Sequence, residues 1–568
     1  MIVLLALAAA GCSESASPAP PSTPPAAALS STASASSTAA APPDWPMYHG
    51  DPSHSGLSRS MPNVSGSPRV TESIKLDGAV YASPIAVDGV IVVATENDSV
   101  YAFDAQGKQL WHVKVGSPSP AQERACGDID PLGITGTPIY SARTGNVYLV
   151  AEHNGKVGHD MIALDLHTGK VRWRKGVDLP GPAPAAMQQR GALAITGGRV
   201  WVPFGAQAGD CSNYKGRVVG VRLDGTGDPV VYDPSTRRQG GIWNPAGPTV
   251  DPAGHLFVVS ANGSSFPGDA YDHTNSVLEL SPSGQLLDSF APTDWAQNNQ
   301  GDVGLGSQGV ALVGTKWALL GGKSGPVYVL RQGHLGGIGG QVSVTKVCLS
   351  FGGAAVDGSV VYLPCTDGVR AVRVDSAGKL QVLWHASGSV AGSPVVGGGR
   401  VWALDYTAGV LHALDPATGQ TRGQVSVGQA NRFATPAIYG NLVLVPTLTG
   451  VVFVRTSLAR MYQPRRPALR QACALTGAPW RLSYRGGADA EGSGIMSGSQ
   501  PKGDRGLCWN CGKLGAYIGS WRMTCSGCEV SWTPWGPAPR GDQNLVSWMG
   551  TVIDCVDFTR PEALGAPA

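Results

Sequence analysis

The chain has 568 residues, of which 42% are hydrophobic and 14% charged, and its formal net charge is +2 at pH 7. This length and apolar content are enough for a large core and more than one domain, which excludes a wholly disordered protein. The small net charge creates no strong basic field, so nucleic acid is not expected as a partner. The 78 glycines and 43 prolines favour many short strands joined by tight turns.

The N-terminal 43 residues are expected to export and tether the protein. Residues 1–12, MIVLLALAAAGC, form an apolar run shorter than the about 20 residues of a membrane-spanning helix. The run resembles a bacterial lipoprotein signal peptide with Cys12 as the lipidated residue; an ordinary secretory signal is the alternative. Residues 13–43, rich in Ser, Ala and Pro, predict a disordered tether. We therefore expect an exported protein, anchored through Cys12 to the outer face of the cytoplasmic membrane or to the cell envelope.

Two hairpin patterns recur along the middle of the chain. The first joins an alternating apolar segment, an Asp, a Gly-containing turn and a second strand. It occurs as VYAFDAQGKQLW (100–111), IALDLHTGKVRW (162–173), AVRVDSAGKLQVLW (371–384) and LHALDPATGQTRG (411–423). Upstream of each lies a second hairpin, such as YASPIAVDGVIVVAT (81–95), which begins with a small residue and Pro. Two hairpins make a four-stranded antiparallel sheet.

About eight such units, with weaker copies in the centre, fill residues 79–457 at about 47 residues each. This period is typical of the blades of a β-propeller. We predict an all-β, eight-bladed propeller over residues 44–458, followed by a small Cys-rich unit. Seven blades are the alternative count, because the central copies are divergent, and a β-sandwich array or a solenoid is the alternative fold.

The repeats resemble those of a known family. The hairpins with Asp, Thr-Gly and Trp resemble the tryptophan-docking motif of quinoprotein propellers, and the Ser/Thr-Pro strands resemble their pyrroloquinoline quinone (PQQ) repeats. The resemblance covers residues 44–457, and it implies that Trp111, Trp173 and Trp384 pack between neighbouring blades. The family includes PQQ- and calcium-dependent alcohol dehydrogenases, in which an Asp acts as base, and scaffold propellers such as the outer-membrane assembly lipoprotein BamB.

The dehydrogenases of this family typically carry adjacent cysteines over the quinone, and no two cysteines are adjacent in this chain. We therefore predict a non-catalytic binding or assembly scaffold at the cell envelope, which presents its faces to an envelope protein or a small-molecule ligand. The alternative is a PQQ- and calcium-dependent alcohol or sugar dehydrogenase. A sensor or adaptor that engages a partner through the C-terminal unit is a third hypothesis.

Polar residues in the Gly-rich connections are candidate ligand residues, because propellers build binding faces from such connections. The leading candidates are Arg124, Trp243, Asn244, Asn262 and Asp302. Carboxylate and amide oxygens in these loops suit Ca²⁺, although solvated loops are ordinarily polar. The further candidates are Asp128, Asp130, Asp269, Asp272, His273, Asn298 and Asn299. His49 and His54 are expected in a structural turn that helps to close the ring.

The cysteines predict two disulfides in the propeller. Cys348 and Cys365 fall on neighbouring strands of one blade, and Cys126 and Cys211 lie in long connections of successive blades. Both pairs are suited to an exported chain.

The composition changes after residue 458, so residues 459–568 are predicted to be a separate unit. Within 508–528, Cys508, Cys511, Cys525 and Cys528 have the C-x2-C spacing of a structural zinc ribbon. The alternative is that the same cysteines form disulfides, with Cys473 and Cys555 as a further pair.

Overall fold

The computed structural model describes residues 44–388 and 391–458, together with five short strands farther along the chain. The chain divides into two compact units, Met1–Ser457 and Leu458–Ala568. Cys12 and the predicted tether lie outside the described residues, as do Cys473 and Cys555. No helix in the described part of the chain is long and apolar enough to cross a membrane.

The first unit consists of eight antiparallel sheets, which we call blades 1 to 8 in chain order. The strands are given in sheet order. Blade 1 consists of Ile85–Val87, Val90–Ala94, Ser99–Phe103 and Gln109–Lys114, and blade 2 of Ile139–Ser141, Asn146–His153, Gly158–Asp165 and Val171–Gly176. Blade 3 consists of Ala194–Thr196, Arg199–Ala206, Arg217–Arg222 and Val230–Tyr232, and blade 4 of Thr249–Val250, Leu256–Ser260, Ser276–Leu280 and Leu286–Ala291. The first strands of neighbouring blades contact one another around the ring. They therefore lie innermost.

Blades 5 to 8 repeat this order. Blade 5 consists of Ala311–Val313, Trp317–Leu320, Pro326–Arg331 and Ser343–Lys346, and blade 6 of Ala355–Asp357, Val360–Cys365, Gly368–Val374 and Leu380–Ser387. Blade 7 consists of Val395–Gly397, Arg400–Asp405, Val410–Leu414 and Thr421–Ser426. Blade 8 consists of Ala437–Tyr439, Leu442–Thr447 and Gly450–Leu458, with Val64–Lys75 as its fourth, outermost strand. The prediction of an eight-bladed propeller is confirmed.

Minor elements complete the described chain. Short strands extend blades 7, 3 and 4 at Leu57–Ser58, Met187–Gln188 and Gly337–Ile338. The α-helix is Trp295–Gly301, and single 3-10 turns occur at Ala121–Glu123, Pro184–Ala186 and Leu305–Ser307. In the second unit the described strands are Arg481–Ser483, Arg505–Leu507, Leu514–Ala516, Arg522–Cys525 and Val530–Trp532. Of the predicted zinc ligands, Cys525 ends one of these strands, and Cys508, Cys511 and Cys528 lie outside the described residues.

The ring is closed by the N-terminal part of the propeller, which the sequence repeats do not reveal. Strand Val64–Lys75 is the outermost strand of blade 8 and pairs with strand Gly450–Leu458. The Thr71 Oγ1 hydroxyl also donates to the Phe453 carbonyl at 3.2 Å. Blade 8 therefore contains both ends of the propeller, and their pairing closes the ring.

The segment before this strand crosses the ring axis. Its backbone bonds in turn with first strands of several blades: Trp45 with Ala86, Pro46 with Tyr140, Pro52 with Val250, Ser55 with Val356 and Gly56 with Val396. Tyr48 is fully buried beside Ala192 and Ala246, which lie in the connections before blades 3 and 4. Its hydroxyl bonds to groups from the connections before blades 6 to 8, on the other side of the ring. The segment thus ties the innermost strands together.

His49 and His54 lie inside this crossing segment, as expected for a structural turn. His49 Nδ1 lies 3.1 Å from the His54 carbonyl oxygen. Burial lowers the pKa of His49 to about 4 and that of His54 to about 3, so both imidazoles are neutral at pH 7.

Tryptophans join neighbouring blades, as the family resemblance implies. The indole N–H groups of Trp111, Trp173 and Trp384 donate to carbonyls of the next blade, at Leu166 (2.9 Å), Leu223 (3.3 Å) and Pro416 (2.9 Å). Each ring covers a turn glycine with positive φ; at Gly169, for example, a Cβ would lie 2.6 Å from Trp111. Only glycine leaves room for the indole at these turns.

Blades 3 and 5 achieve the same contact with a different strand. Their fourth strands lack Trp, and Trp201 and Trp317 from the second strands fill the space beside Gly284 and Gly378. The position of the aromatic ring between blades is therefore kept while its origin in the sequence changes.

Both propeller disulfides are present. Cys348 pairs with Cys365, but the expectation that both lie on neighbouring strands of one blade is wrong: Cys348 lies in the connection between blades 5 and 6, and Cys365 ends the second strand of blade 6. Cys126 pairs with Cys211, joining the connection before blade 2 to a turn of blade 3.

Removing one docked indole should weaken the ring. We expect Trp384→Ala to lower the free energy of unfolding by about 3 kcal/mol, because a large buried side chain and its hydrogen bond are lost. Urea unfolding of the full chain measures this. Val382→Ala, an exposed position on the same strand, is the control and should have little effect. Equal losses for the two variants would contradict the docking role.

Candidate functional site

The up-and-down strands give the ring two different ends. The turns between second and third strands and the connections between blades lie at one end, which we call the upper face. The turns between first and second strands and between third and fourth strands lie at the other, the lower face. Residues just before each first strand are therefore at the upper face and close to the axis.

Side chains from opposite blades meet at the upper face. Phe433 precedes the first strand of blade 8, and Trp243 precedes that of blade 4; their rings are 6.1 Å apart at 68°. The guanidinium of Arg190, which precedes blade 3, lies 4.4 Å from the centroid of Phe433. Because these blades are separated around the ring, the three side chains mark its centre.

Two further cations and one aromatic ring complete this group. Lys323 Nζ lies 5.8 Å from the Trp243 ring centroid. The Arg432 guanidinium lies 5.2 Å from the centroid of Phe351, and its Nε is 3.4 Å from the Tyr406 hydroxyl. We call Arg190, Trp243, Lys323, Phe351, Arg432 and Phe433 the axial cluster.

Arg190 is the cation of this cluster with the most freedom to bind. Within the described residues its guanidinium forms no hydrogen bond or ion pair, although it stacks on Phe433. Burial lowers its pKa, and the charges of Asp128, Tyr81 and Glu96 act in the opposite direction. An arginine remains charged under such conditions, so its donors are available to an anion.

Asp302 and Asn262 adjoin the axial cluster through Lys323. Asp302 Oδ1 accepts from Lys323 Nζ at 2.6 Å and from Asn262 Nδ2 at 2.5 Å. Asp302 follows helix Trp295–Gly301 in a left-handed conformation, with φ of 49°, and 68% of its side chain is exposed. Asn262 Oδ1 is buried without a partner among the described residues. Trp243, Asn262 and Asp302, all predicted from the sequence, are thus brought together.

The other two leading candidates occupy different environments. The Arg124 side chain is 1% exposed and binds Gln207 and the Ile129 carbonyl, with Asp130 3.8 Å away. These contacts fix the connection before blade 2. Asn244 is buried, and neither of its amide atoms has a partner among the described residues.

Buried carboxyl groups lie beside this region in blades 1 and 2. Glu96 Oε2 accepts from the Gly133 N–H at 2.9 Å and from the Thr135 hydroxyl at 3.1 Å. Burial raises the pKa of Glu96 to about 7. Burial, followed by the charge of Glu96, raises the pKa of Asp98 to about 8. Gly133 separates the two groups, because a Cβ there would lie 2.6 Å from Asp98 Oδ1.

Glu152, the buried carboxyl group of blade 2, is neutralised by the buried imidazole of His159. His159 Nε2 lies 3.2 Å from Glu152 Oε2, and its Nδ1 lies 2.8 Å from Asp178 Oδ1. Burial alone would lower the pKa of His159, but its hydrogen bonds with the two carboxylates outweigh burial and raise it to about 10. His159 is therefore a cation at pH 7.

Several of these residues were not selected as candidates from the sequence, although the repeats contain a signal for them. In blades 1 to 5, one polar residue lies at or just beyond the end of the second strand: Glu96, Glu152, Gln207, Asn262 and Lys323. Aligning the repeats on that strand would have selected the whole set. Arg190 and Phe433 have the corresponding signal, since each immediately precedes a first-strand motif.

Comparison with known proteins relates the chain to two kinds of propeller. Residues 75–267 match the family described as outer membrane protein assembly factor BamB. The chain is 28% identical over 178 residues to the 1-butanol dehydrogenase (cytochrome c) of Thauera butanivorans, covering 30% of this chain and 24% of that protein. It is 26% identical over 249 residues to the polyvinylalcohol dehydrogenase of a Sphingopyxis species, covering 35% and 37%. The matches therefore span about a quarter to just over a third of these relatives' own length.

Solved structures share the fold more widely. The quinohemoprotein alcohol dehydrogenase ADHIIG of Pseudomonas putida HK5 superposes with a TM-score of 0.57 at 15% identity, covering 76% of this chain and 84% of that one. The quinohemoprotein alcohol dehydrogenase of Comamonas testosteroni gives 0.55 at 17% identity, covering 74% and 81%. At these identities the likeness shows the fold alone.

Eight four-stranded blades, joined by tryptophans over turn glycines, define a tryptophan-docked propeller. This architecture, the family match over residues 75–267 and the shared fold of the solved structures together support a PQQ-like β-propeller.

The buried Glu96 gives a pH dependence with a definite sign. Its carboxyl pKa is 4.5 in the ordinary state and about 7 when folded, so between these values the folded protein binds more protons than the unfolded chain. The contribution of Glu96 to the free energy of unfolding therefore falls as pH rises through this range. We expect Glu96→Gln to reduce the fall between pH 5 and 8 by about 2 kcal/mol.

Urea unfolding of the full chain at several pH values measures this change. Glu72→Gln, an exposed position, is the control and should leave the slope unchanged. An unchanged slope in Glu96→Gln would show that Glu96 ionises normally in the folded protein.

Proposed function

We propose that the protein is an exported, non-catalytic binding propeller whose axial cluster holds a planar anionic small molecule, with PQQ as the leading candidate. The observation that carries the proposal is Arg190. Its guanidinium lies on Phe433 at the centre of the upper face, and its donors are unused by the described residues. Unused hydrogen-bond donors on a largely desolvated cation are unfavourable, and an anionic ligand would satisfy them.

The rest of the axial cluster supports the same ligand chemistry. Trp243 and Phe433 offer aromatic faces on which a flat molecule can stack, and Lys323 and Arg432 add positive charge around them. Guanidinium groups bind carboxylates through charge-assisted hydrogen bonds. PQQ is a planar tricarboxylate, so it meets both requirements.

The proposed location outside the cytoplasm is supported by the two disulfides, because such bonds persist in oxidising compartments. We propose that lipidated Cys12 anchors the chain to the cell envelope. An envelope protein would then have access to the propeller faces.

A PQQ- and calcium-dependent dehydrogenase is the second candidate, and the arrangement of Asp302 favours it. Trp243, Arg190 and Lys323 would hold the quinone, and the unpaired Asn262 Oδ1 is an oxygen of the type that Ca²⁺ accepts. When bound, the quinone accepts the electrons removed from the alcohol. Lys323 and Asn262 engage Asp302 Oδ1, and Oδ2 has no hydrogen bond within the described residues. Oδ2 could therefore take the proton of a substrate hydroxyl.

The cysteines favour binding over catalysis. Cys126 lies between Ala125 and Gly127 and pairs with the distant Cys211. No two cysteines are adjacent anywhere in the sequence, so the adjacent-cysteine disulfide typical of the dehydrogenases cannot form.

PQQ binding tests the proposal. We expect the full chain incubated with PQQ to retain quinone absorbance through gel filtration. Arg190→Gln should weaken PQQ binding by about 10-fold to 100-fold, because a hydrogen bond to a charged group contributes about 1.5–3 kcal/mol. Arg69→Gln, an exposed position on strand Val64–Lys75, is the control and should bind normally. Absence of binding, or equal affinity in both variants, would contradict the proposal.

Dye reduction separates the two candidate functions. The binding proposal predicts no reduction of an artificial electron acceptor by alcohols or sugars when PQQ and Ca²⁺ are bound. Turnover that disappears in Asp302→Asn, while PQQ remains bound, would instead establish the dehydrogenase.

A further inference from the structure

A second cluster of charged groups lies in blade 4, on the face of the ring opposite the axial cluster. Asp251 and His255 flank the turn between the first and second strands, which belongs to the lower face. Glu279 lies on the third strand, Ser276–Leu280, next to the second. The turn and the sheet thus bring two carboxylates and one imidazole together.

The three side chains have the separations of metal ligands. His255 Nδ1 lies 2.8 Å from Glu279 Oε1 and 3.6 Å from Asp251 Oδ2, and one ligand atom from each residue falls within 4.8 Å of the others. A tetrahedral Zn²⁺ with bonds of about 2.0–2.1 Å places its ligand atoms about 3.3 Å apart. The two observed distances lie on either side of that value.

The backbone holds two of these residues in place. The His255 N–H donates to Asp251 Oδ1 at 2.8 Å. The Asp251 N–H donates to the His255 carbonyl at 3.1 Å, and the Gly254 N–H donates to the Asp251 carbonyl at 2.9 Å. Asp251 Oδ2 is left to face the imidazole, so little ordering is required for a metal ion to bind.

The Glu279 carboxylate lacks a second partner. Its side chain is 3% exposed, and Oε2 is buried without a hydrogen bond in the described part of the chain. In the part of the chain that the structure describes, its side chain bonds only to His255, so one oxygen of a buried carboxylate has no partner.

We propose that Asp251, His255 and Glu279 form a zinc site on the lower face of blade 4. A divalent ion neutralises the two carboxylates, gives the buried Glu279 its missing partner and fixes the turn to the third strand. The imidazole ligand favours Zn²⁺ over Ca²⁺ and Mg²⁺, which prefer oxygen. The His255 side chain is 31% exposed, so an ion can enter from solvent, and a water completes the coordination.

Zinc titration of the full chain tests the site. Cys508→Ser and Cys525→Ser are introduced together, so that the C-terminal cysteines cannot form a four-thiolate site. We expect one zinc ion per chain, and we expect His255→Ala and Glu279→Gln each to weaken zinc binding at least about 100-fold, since even indirect partners of a metal contribute 10-fold to 100-fold. His385→Ala is the matched control. His385 is 33% exposed and lies 3.7 Å from a single carboxylate, Asp367.

A second measurement excludes loss of folding as the cause. Co²⁺ bound to this site should give visible d–d bands without the near-ultraviolet thiolate band of a cysteine site. Zn²⁺ should raise the melting temperature of the control variant and leave that of Glu279→Gln unchanged, with equal circular dichroism for both. Absence of zinc binding, or unchanged affinity in both ligand variants, would overturn the proposal and leave His255 as an ion-pair partner of the two carboxylates.

Discussion

Closure of the ring is the constraint on which the rest of the structure depends. The Thr71 hydroxyl donates to the Phe453 carbonyl across 382 residues of chain. Strand Val64–Lys75 pairs with strand Gly450–Leu458, so strands from the two ends of the propeller complete one blade. The angle between neighbouring blades must therefore be nearly constant, and the indole of a Trp over a turn Gly supplies a spacer of fixed size at several of these contacts.

The axial cluster is a product of that closure. Phe433 and Trp243 come from connections 190 residues apart in the chain, before blades 8 and 4, and Arg190 joins them from the connection before blade 3. A single blade holds none of these contacts. Every change in blade number or blade angle would separate the cations from the aromatic faces, so the proposed ligand site depends on the architecture of the whole ring.

The sequence predicts the parts of the molecule that repeat. The repeats predicted a ring of about eight blades, the family resemblance implied the docking of Trp111, and the positions of the cysteines suggested both disulfide pairs. Strand Val64–Lys75 could not be found in this way, because VSGSPRVTESIK is largely polar and exposed and its partner strand is distant in sequence. Trp201 was equally hidden, since it reaches the blade contact from another strand.

Residues of the axial site and its surroundings could be predicted from the sequence only where a polar, Gly-rich connection marked them. Trp243, Asn262 and Asp302 were selected, but Arg124 proved to be buried support, and Arg190 depends on ring geometry for its position. A crystal structure of the full chain soaked with PQQ would locate the ligand directly. We expect density for a flat ligand that contacts Trp243 or Phe433 and whose carboxylate binds Arg190. Bound PQQ elsewhere on the propeller, with the axial cluster unchanged, would contradict the proposal.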